Sequence, residues 1–178
     1  MIIRKATARD IDAIEKIYDR IHECEDAGKT TTGWLTGVDP VRKTAEDALK
    51  REDLFVCESE EELLAVGIIN KIQVDVYADC DWRYKAPDDD VCVLHTLVVD
   101  PARAGKGIGT DFVKYYEDYA KQIGCTVLRI DTNERNTAAR SLYAKLGFIE
   151  ADIVPCVFNG IPDINLVLIE KKVGDINA

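Results

Sequence analysis

Hydrophobic and polar positions in the first third of the chain predict a strand followed by two helices. Ile2 to Arg4 predicts a short strand, and apolar residues at helical spacing between Ile11 and Ile21 predict a helix behind it. Thr7, followed three residues later by Asp10, has the pattern of a capping box at the start of that helix. The pair Asp39-Pro40 predicts the start of a second helix, with the aspartate as its cap and the proline in its first turn.

A pair of strands is predicted next along the chain. Residues 54–57 are apolar, an acidic stretch follows, and residues 63–72 are apolar again, which is the pattern of an antiparallel hairpin. The run 74–77 is a candidate extension of the second strand. Residues 78–90 are polar and include a proline, so we predict a loop there.

The second half of the chain predicts two parallel strands joined by a helix. Residues 91–99 are almost continuously apolar, as in a central strand that is covered on both faces. A helix with one apolar side, from Ile108 to Ile123, leads to a strand at 127–130, and this order requires a right-handed crossover between parallel strands. The remaining predicted elements are a helix over 136–146 and two closing strands around 148–157 and 164–171.

Together these elements predict an α+β fold of the three-layer α/β type. We expect a mixed sheet of about seven strands, antiparallel with a central parallel pair and flanked by helices. The 178 residues contain no internal repeat, linker or low-complexity tract, so residues 1–178 are predicted to form a single domain.

The formal net charge of -10 narrows the choice of partners. Phosphate binding depends on basic patches, so the charge argues against nucleic acid. An acidic surface attracts a cationic substrate such as an amine, although solubility alone also explains such a charge. No stretch approaches the ~18 unbroken apolar residues of a membrane helix, and the first residues lack the apolar core of a signal peptide. We therefore expect no membrane association and a cytoplasmic location.

The six cysteines and two histidines do not form a metal-binding pattern. No two cysteines have the CxxC spacing of a zinc site or of a redox pair. Several stand within apolar runs, where a cysteine usually packs as a small hydrophobic residue. We predict six free thiols in a reducing compartment and no metal site.

The sharpest motif is the turn after the predicted central strand, Ala104-Gly105-Lys106-Gly107-Ile108-Gly109-Thr110. Glycines remove Cβ atoms, so backbone N–H groups can point into one concave space at the positive end of a helix. Such a space binds anions and suits a pyrophosphate. The spacing is neither the GxxxxGK[ST] of a P-loop nor the GxGxxG of a Rossmann fingerprint. A glycine-rich loop without a ligand is the alternative.

The turn resembles the acetyl-CoA pyrophosphate loop of the GNAT N-acetyltransferase superfamily, [QR]xxGxG[GA]. The string from Asn136 to Phe148, NTAARSLYAKLGF, is similar to the next signature of that family, NxxAxxLYxKxGF. The two signatures stand in the family's order with a strand between them, and the resemblance covers residues 91–158. Ala104 departs from the pattern, because a glutamine or arginine usually precedes the first glycine.

This resemblance implies an N-acetyltransferase that moves an acetyl group from acetyl-CoA, its co-substrate, to a primary amine by direct attack and without a metal. The acceptor would be a small-molecule amine or a peptide N-terminus. Tyr143 is the implied general acid and also contacts the cofactor. The other implied cofactor-binding residues are Leu97, Val98, Val99, Ala104, Gly105, Lys106, Gly107, Ile108, Gly109, Thr110 and Asn136. A non-catalytic CoA-binding regulatory domain of the same fold is the alternative.

The base that deprotonates the amine stays open. His95 stands in the string LHTLVV, which resembles the strand histidine of the aralkylamine N-acetyltransferases, and an unperturbed imidazole pKa of ~6.5 suits a base near neutral pH. Asp131 stands where several GNAT enzymes that act on protein N-termini carry a glutamate. Water is the third alternative, and His95 would then be structural. The oligomeric state, a homodimer included, also stays open.

Overall fold

The computed structural model describes residues 1–60 and 62–174. Within them, four α-helices flank one seven-stranded sheet. The strands are β1 (Ile2–Lys5), β2 (Leu54–Ser59), β3 (Glu62–Asn70), β4 (Val91–Val99), β5 (Val127–Asn133), β6 (Ile149–Phe158) and β7 (Ile161–Lys172). The helices are α1 (Ile11–Asp26), α2 (Arg42–Lys50), α3 (Ile108–Gln122) and α4 (Thr137–Lys145).

The strand order across the sheet is β1-β2-β3-β4-β5-β7-β6. Strands β4 and β5 run parallel, and every other neighbouring pair is antiparallel. The predicted fold class is confirmed, including the central parallel pair.

Adjacent residues of the central strands pack into different layers of the core. Val66 on β3 packs with Ile14 and Ile17 of α1, whereas its neighbour Ala65 belongs to the cluster around Phe112 of α3. Because side chains alternate across a strand, this pattern places α1 and α3 on opposite faces of the sheet. The apolar runs that predicted the central strands therefore supply both faces at once.

Two local predictions are wrong. Helix α2 begins at Arg42 and not at Asp39-Pro40. The hydroxyl of Thr44 accepts a hydrogen bond from the N–H of Val41 at 3.0 Å, so the cap comes from inside the helix. Residues 74–77 do not extend β3, because Asp75–Tyr77 forms a short 3-10 helix that turns the Tyr77 side chain into the core.

All six cysteines are free thiols. None of the helices in the described part of the chain has both the length and the apolar character needed to cross a membrane. The same residues contain no group of three or more histidine, cysteine, aspartate or glutamate side chains that could hold a metal ion.

Candidate active site

The two parallel strands separate halfway along β4. Pairing between β4 and β5 ends at Leu94 and Ile130, whereas β5 continues to pair with β7 as far as Asn133. Thr96 has a φ of 49° and the register between β3 and β4 shifts beside it, so a β-bulge turns β4 away from β5. Residues 97–99 therefore have no strand partner on that side among the described residues. An extended ligand arm can add there as an extra strand would.

The glycine turn follows β4 and opens helix α3. Gly105 and Gly107 both have a φ of 79°, which glycine adopts without strain, and Gly107 caps the helix. A Cβ atom on either residue would meet nothing within 4 Å, so the space beside the turn is open. A Cβ on Gly109 would lie 3.2 Å from Cδ2 of Leu142, so this glycine lets α3 pack against α4. The first N–H groups of α3 have no partner in the helix and can bind an anion.

The other residues of the glycine turn differ in how exposed they are and in what they contact. Ala104 and Lys106 are exposed at its rim, and Thr110 is partly buried. Ile108 is buried in the core and anchors α3 rather than lining an open surface. Arg103, one place before the arginine position of the family motif, is bound by Glu62.

A cavity of about 350 Å³ fills the gap between β4 and β5. The gap brings together five of the residues that the sequence singled out, and each of them lines this cavity: His95, Leu97, Asp131, Asn136 and Tyr143. Val98, Val99 and the glycine turn lie outside the lining. The cavity therefore joins the open edge of β4 to the candidate acid and both candidate bases.

Tyr143 enters the cavity from α4. Its side chain is buried, and its ring centroid lies 5.9 Å from that of Phe148. Burial, and then the charge of Asp131, raise the pKa of the Tyr143 hydroxyl above its ordinary value. The hydroxyl is therefore protonated throughout the neutral range and can act as a proton donor.

Asn136 is the cap of α4 rather than a residue on its face. Its Oδ1 accepts a hydrogen bond from the N–H of Ala139 at 3.2 Å, and its Nδ2 donates to the hydroxyl of Thr132 at 3.2 Å. Each of these groups keeps bonding capacity, because an amide oxygen has two lone pairs and an amide nitrogen carries two hydrogens. Asn136 can still bind a ligand from the wall opposite β4.

Asp131 lies just beyond the point where β4 and β5 separate. The hydroxyl of Tyr77 donates a hydrogen bond to its Oδ2 at 2.6 Å. Burial raises the pKa of Asp131 to about 6, and the bond from Tyr77 opposes that rise. The carboxylate is mostly ionised at pH 7 and can accept a proton.

Tyr77 contacts a candidate base, and the sequence motifs did not single it out. It stands in the run 74–77, which the sequence offered as a candidate extension of β3, and it belongs to no motif. Its ring is held against Trp82 with the centroids 5.2 Å apart, and the indole of Trp82 donates to the backbone oxygen of Tyr77 at 3.0 Å. These contacts with Trp82 fix the position of the Tyr77 hydroxyl, which holds Asp131.

The imidazole of His95 is held by a chain of polar groups. Its Nε2 lies 3.0 Å from Oδ1 of Asn70. The amide of Asn70 has a fixed orientation, because its Nδ2 donates to Asp53 at 2.9 Å and its Oδ1 accepts from the N–H of Ile72 at 2.8 Å. An amide oxygen can only accept, so this network assigns the proton of His95 to Nε2 and leaves Nδ1 as the basic nitrogen.

Burial also changes the strength of His95 as a base. It lowers the pKa of the imidazole to about 4, whereas it raises the pKa of Asp131 to about 6. His95 is therefore neutral at pH 7, and it holds a proton more weakly than Asp131 does. Unperturbed pKa values would make His95 the stronger base of the two. Burial reverses this order and makes Asp131 the stronger base.

An unpaired strand edge, a glycine turn at a helix N-terminus and a tyrosine facing the gap define a coenzyme A-dependent acyltransferase fold. The sequence profile of the Acetyltransferase (GNAT) family matches residues 13–148, and the chain belongs to that family. An uncharacterized N-acetyltransferase of Methanocaldococcus jannaschii is 32% identical over 108 residues. That match covers 60% of this chain and 44% of the relative, so the chain spans less than half the length of the curated protein it matches.

Solved structures share the whole fold. The ribosomal-protein-alanine N-acetyltransferase of Brucella melitensis superposes with a TM-score of 0.71 at 18% identity, covering 97% of this chain and 99% of that one. The yncA protein of Salmonella typhimurium, solved with its cofactor acetyl-CoA, superposes with a TM-score of 0.69 at 20% identity, covering 99% and 96%. At these identities the likeness concerns the fold.

Proposed function

We propose that this chain transfers the acetyl group of acetyl-CoA to a primary amine by direct attack, with Tyr143 as the general acid. The observation that carries the proposal is the position of the Tyr143 side chain. It is a protonated phenol in the cavity that also contains Leu97, on the open edge of β4. A proton donor beside an extended binding edge is what the departure of a thiolate requires.

The residues present fit acetyl-CoA at both ends. The free N–H groups at the start of α3 would bind the pyrophosphate, and the space that Gly105 and Gly107 leave open would admit it. The unpaired edge of residues 97–99 would hold the pantetheine arm in extended form. The yncA neighbour, solved with acetyl-CoA, supports the same choice of cofactor.

In the proposed reaction the amine nitrogen forms a bond to the thioester carbonyl carbon, and the carbon–sulfur bond breaks. The acceptor loses its ammonium proton to solvent before it reacts. Asp131 then takes the proton that the nitrogen loses as the amide forms, and Tyr143 gives its proton to the sulfur, so the products are an N-acetylamine and free coenzyme A. The proton on Asp131 returns to Tyr143 before the next turnover and restores both groups. Asp131 is the stronger of the two candidate bases on the pKa values above.

The acid and the base are coupled. The negative charge of Asp131 is one of the two causes that raise the pKa of Tyr143. When Asp131 accepts the amine proton, that charge disappears and the tyrosine becomes a stronger acid. Deprotonation of the nucleophile therefore prepares the group that protonates the leaving thiolate.

The test is a coenzyme A release assay with acetyl-CoA and a panel of amines. Tyr143→Phe should lower kcat by roughly 10²–10⁴-fold while the affinity for acetyl-CoA changes little, because the proton is needed only in the transition state. Tyr115→Phe is the matched control, since Tyr115 lies on α3 and outside the cavity lining.

Normal turnover by the Tyr143→Phe enzyme on a good acceptor would overturn the assignment of the acid. If calorimetry detected acetyl-CoA binding and no amine was acetylated, the chain would instead be the non-catalytic CoA-binding domain of the same fold. A cytoplasmic location is part of the proposal, and the six free thiols support it.

A further inference from the structure

Two carboxylates line the cavity, those of Asp39 and Asp131. Neither forms a salt bridge with any residue in the described part of the chain. Arg51 also lines the cavity, but its guanidinium donates two hydrogen bonds to Asp53, at 2.8 and 3.2 Å, and Asp53 neutralises its charge. The cavity thus has an excess of negative charge.

Asp39 is held by neutral groups. One oxygen accepts a hydrogen bond from the hydroxyl of Thr44 at 2.9 Å, and the other accepts from Nδ2 of Asn159 at 2.8 Å. These bonds orient the carboxylate, and neither of them brings a positive charge to it. Burial raises the pKa of Asp39, which reflects the cost of holding that charge away from water. A cationic ligand group would relieve this cost.

Strand β7 separates the two carboxylates. Asp131 pairs in register with Leu168, in the second half of β7, whereas Asn159, which binds Asp39, lies in the turn before β7 begins. The two charges therefore lie at different levels along one wall of the cavity. The wall and its neighbours are largely apolar, and they include Trp34, Phe158, Ile161, Ile164 and Leu166.

We infer that the acceptor is a diamine: one nitrogen is acetylated between Asp131 and Tyr143, and the other stays protonated and binds Asp39. The apolar side chains between these points would contact the methylene spacer. The net charge of -10 would favour the approach of such a dication. This inference rests on the proposed acetyl transfer and adds the class of substrate to it.

The experiment compares α,ω-diamines of increasing length with monoamines in which a methyl group replaces the distal amine. For the wild-type enzyme, we expect kcat/KM for the best diamine to exceed that of its matched monoamine by about 10- to 100-fold, as for a charge-assisted hydrogen bond. Asp39→Asn keeps the size of the side chain and removes its charge, so it should bring this ratio close to one.

Asp26→Asn is the matched control. Asp26 is the last residue of α1, it accepts a hydrogen bond from the hydroxyl of Thr36 at 2.9 Å, and it does not line the cavity. This variant should keep the preference for diamines. Melting temperatures of both variants would show whether each has folded. If Asp39→Asn is unstable, Asp39→Glu serves in its place: it keeps the charge, so it should keep part of the preference for the diamine over the matched monoamine.

Three outcomes would overturn the inference. Equal kcat/KM for diamines and matched monoamines in the wild-type enzyme would show that no second charge is bound. If Asp39→Asn lowered kcat/KM equally for the diamine and for its matched monoamine, Asp39 would be a structural residue. The proposed acetyl transfer would still stand. If wild-type enzyme acetylated no amine at all, the proposed function itself would fail, and the inference with it.

Discussion

Replacement of Tyr77 by phenylalanine tests which residue is the base. The hydroxyl of Tyr77 donates to the ionised carboxylate of Asp131 at 2.6 Å and so favours its charged form. Loss of the hydroxyl should therefore raise the pKa of Asp131 above its value of about 6. A base must be ionised to act, so the acidic limb of the pH–rate profile should move to higher pH.

The size of the shift follows from the bond that is lost. A hydrogen bond to a charged group contributes ~1.5–3 kcal/mol, and one pKa unit corresponds to ~1.4 kcal/mol, so we expect a rise of about one to two units. At pH 7 about nine-tenths of the wild-type carboxylate is ionised, and about half or less would be ionised in the variant. The activity at high pH should be unchanged.

The assay measures kcat/KM as a function of pH, with the same acceptor for every variant. The titration of the acceptor then affects all profiles equally and cancels when a variant's profile is divided by the wild-type profile. Tyr84→Phe, in the same loop, should leave the profile unchanged. Asp131→Asn should abolish the limb, and His95→Ala should keep it. A Tyr77→Phe profile that coincides with the wild-type profile, together with loss of the limb in His95→Ala, would refute the assignment of Asp131. If neither substitution of a candidate base moves the limb, water removes the proton.

Two further predictions concern cofactor binding and stability. Gly107→Ala should weaken acetyl-CoA binding by at least about ten-fold in calorimetry, because a left-handed backbone strains alanine and the new Cβ narrows the open cradle. Gly124→Ala, which has the same kind of backbone and the same free space at the far end of α3, should cost stability and keep the affinity. Phe112→Ala should lower the free energy of unfolding in urea by about 3–5 kcal/mol, since this ring is fully buried, whereas Val157→Ala on the exposed edge strand should change it by less than about 0.5 kcal/mol.

Most helices and strands of the fold could be predicted, because the spacing of their own apolar residues shows which face each of them buries. The apolar run 91–99 coincides with β4, and the turn Asn159-Gly160 between β6 and β7 has the positive φ values that a tight hairpin requires. The bulge at Thr96 could not be predicted, because a threonine with a φ of 49° has no local sequence signal. That bulge separates β4 from β5 and makes the gap on which the site depends.

The residues of the candidate site also include some that the sequence could predict and some that it could not. Asp131, His95 and Tyr143 stand out through resemblance, and all three line one cavity. Tyr77 and Asn70 do not stand out, because their roles come from contacts with partners distant in the chain. Tyr77 bonds to a residue 54 positions away, and Asn70 to one 25 positions away. The pKa order of the two bases is also hidden from the sequence, since it depends on how deeply each group is buried.

The two halves of the cavity have different origins in the sequence. Strand β4 and α4 form the half that suits the cofactor. Helix α4 carries one family signature, and β4 leads into the glycine turn that carries the other. The opposite half comes from the segment between α1 and α2, which supplies Trp34 and Asp39, and from the β6–β7 turn with Asn159. These segments match no signature, and the hydrogen bond between Asp39 and Asn159 joins positions 120 residues apart. Resemblance can therefore identify the acetyl donor but not the acceptor, and the charge and shape of these two segments are the features from which the acceptor has to be inferred.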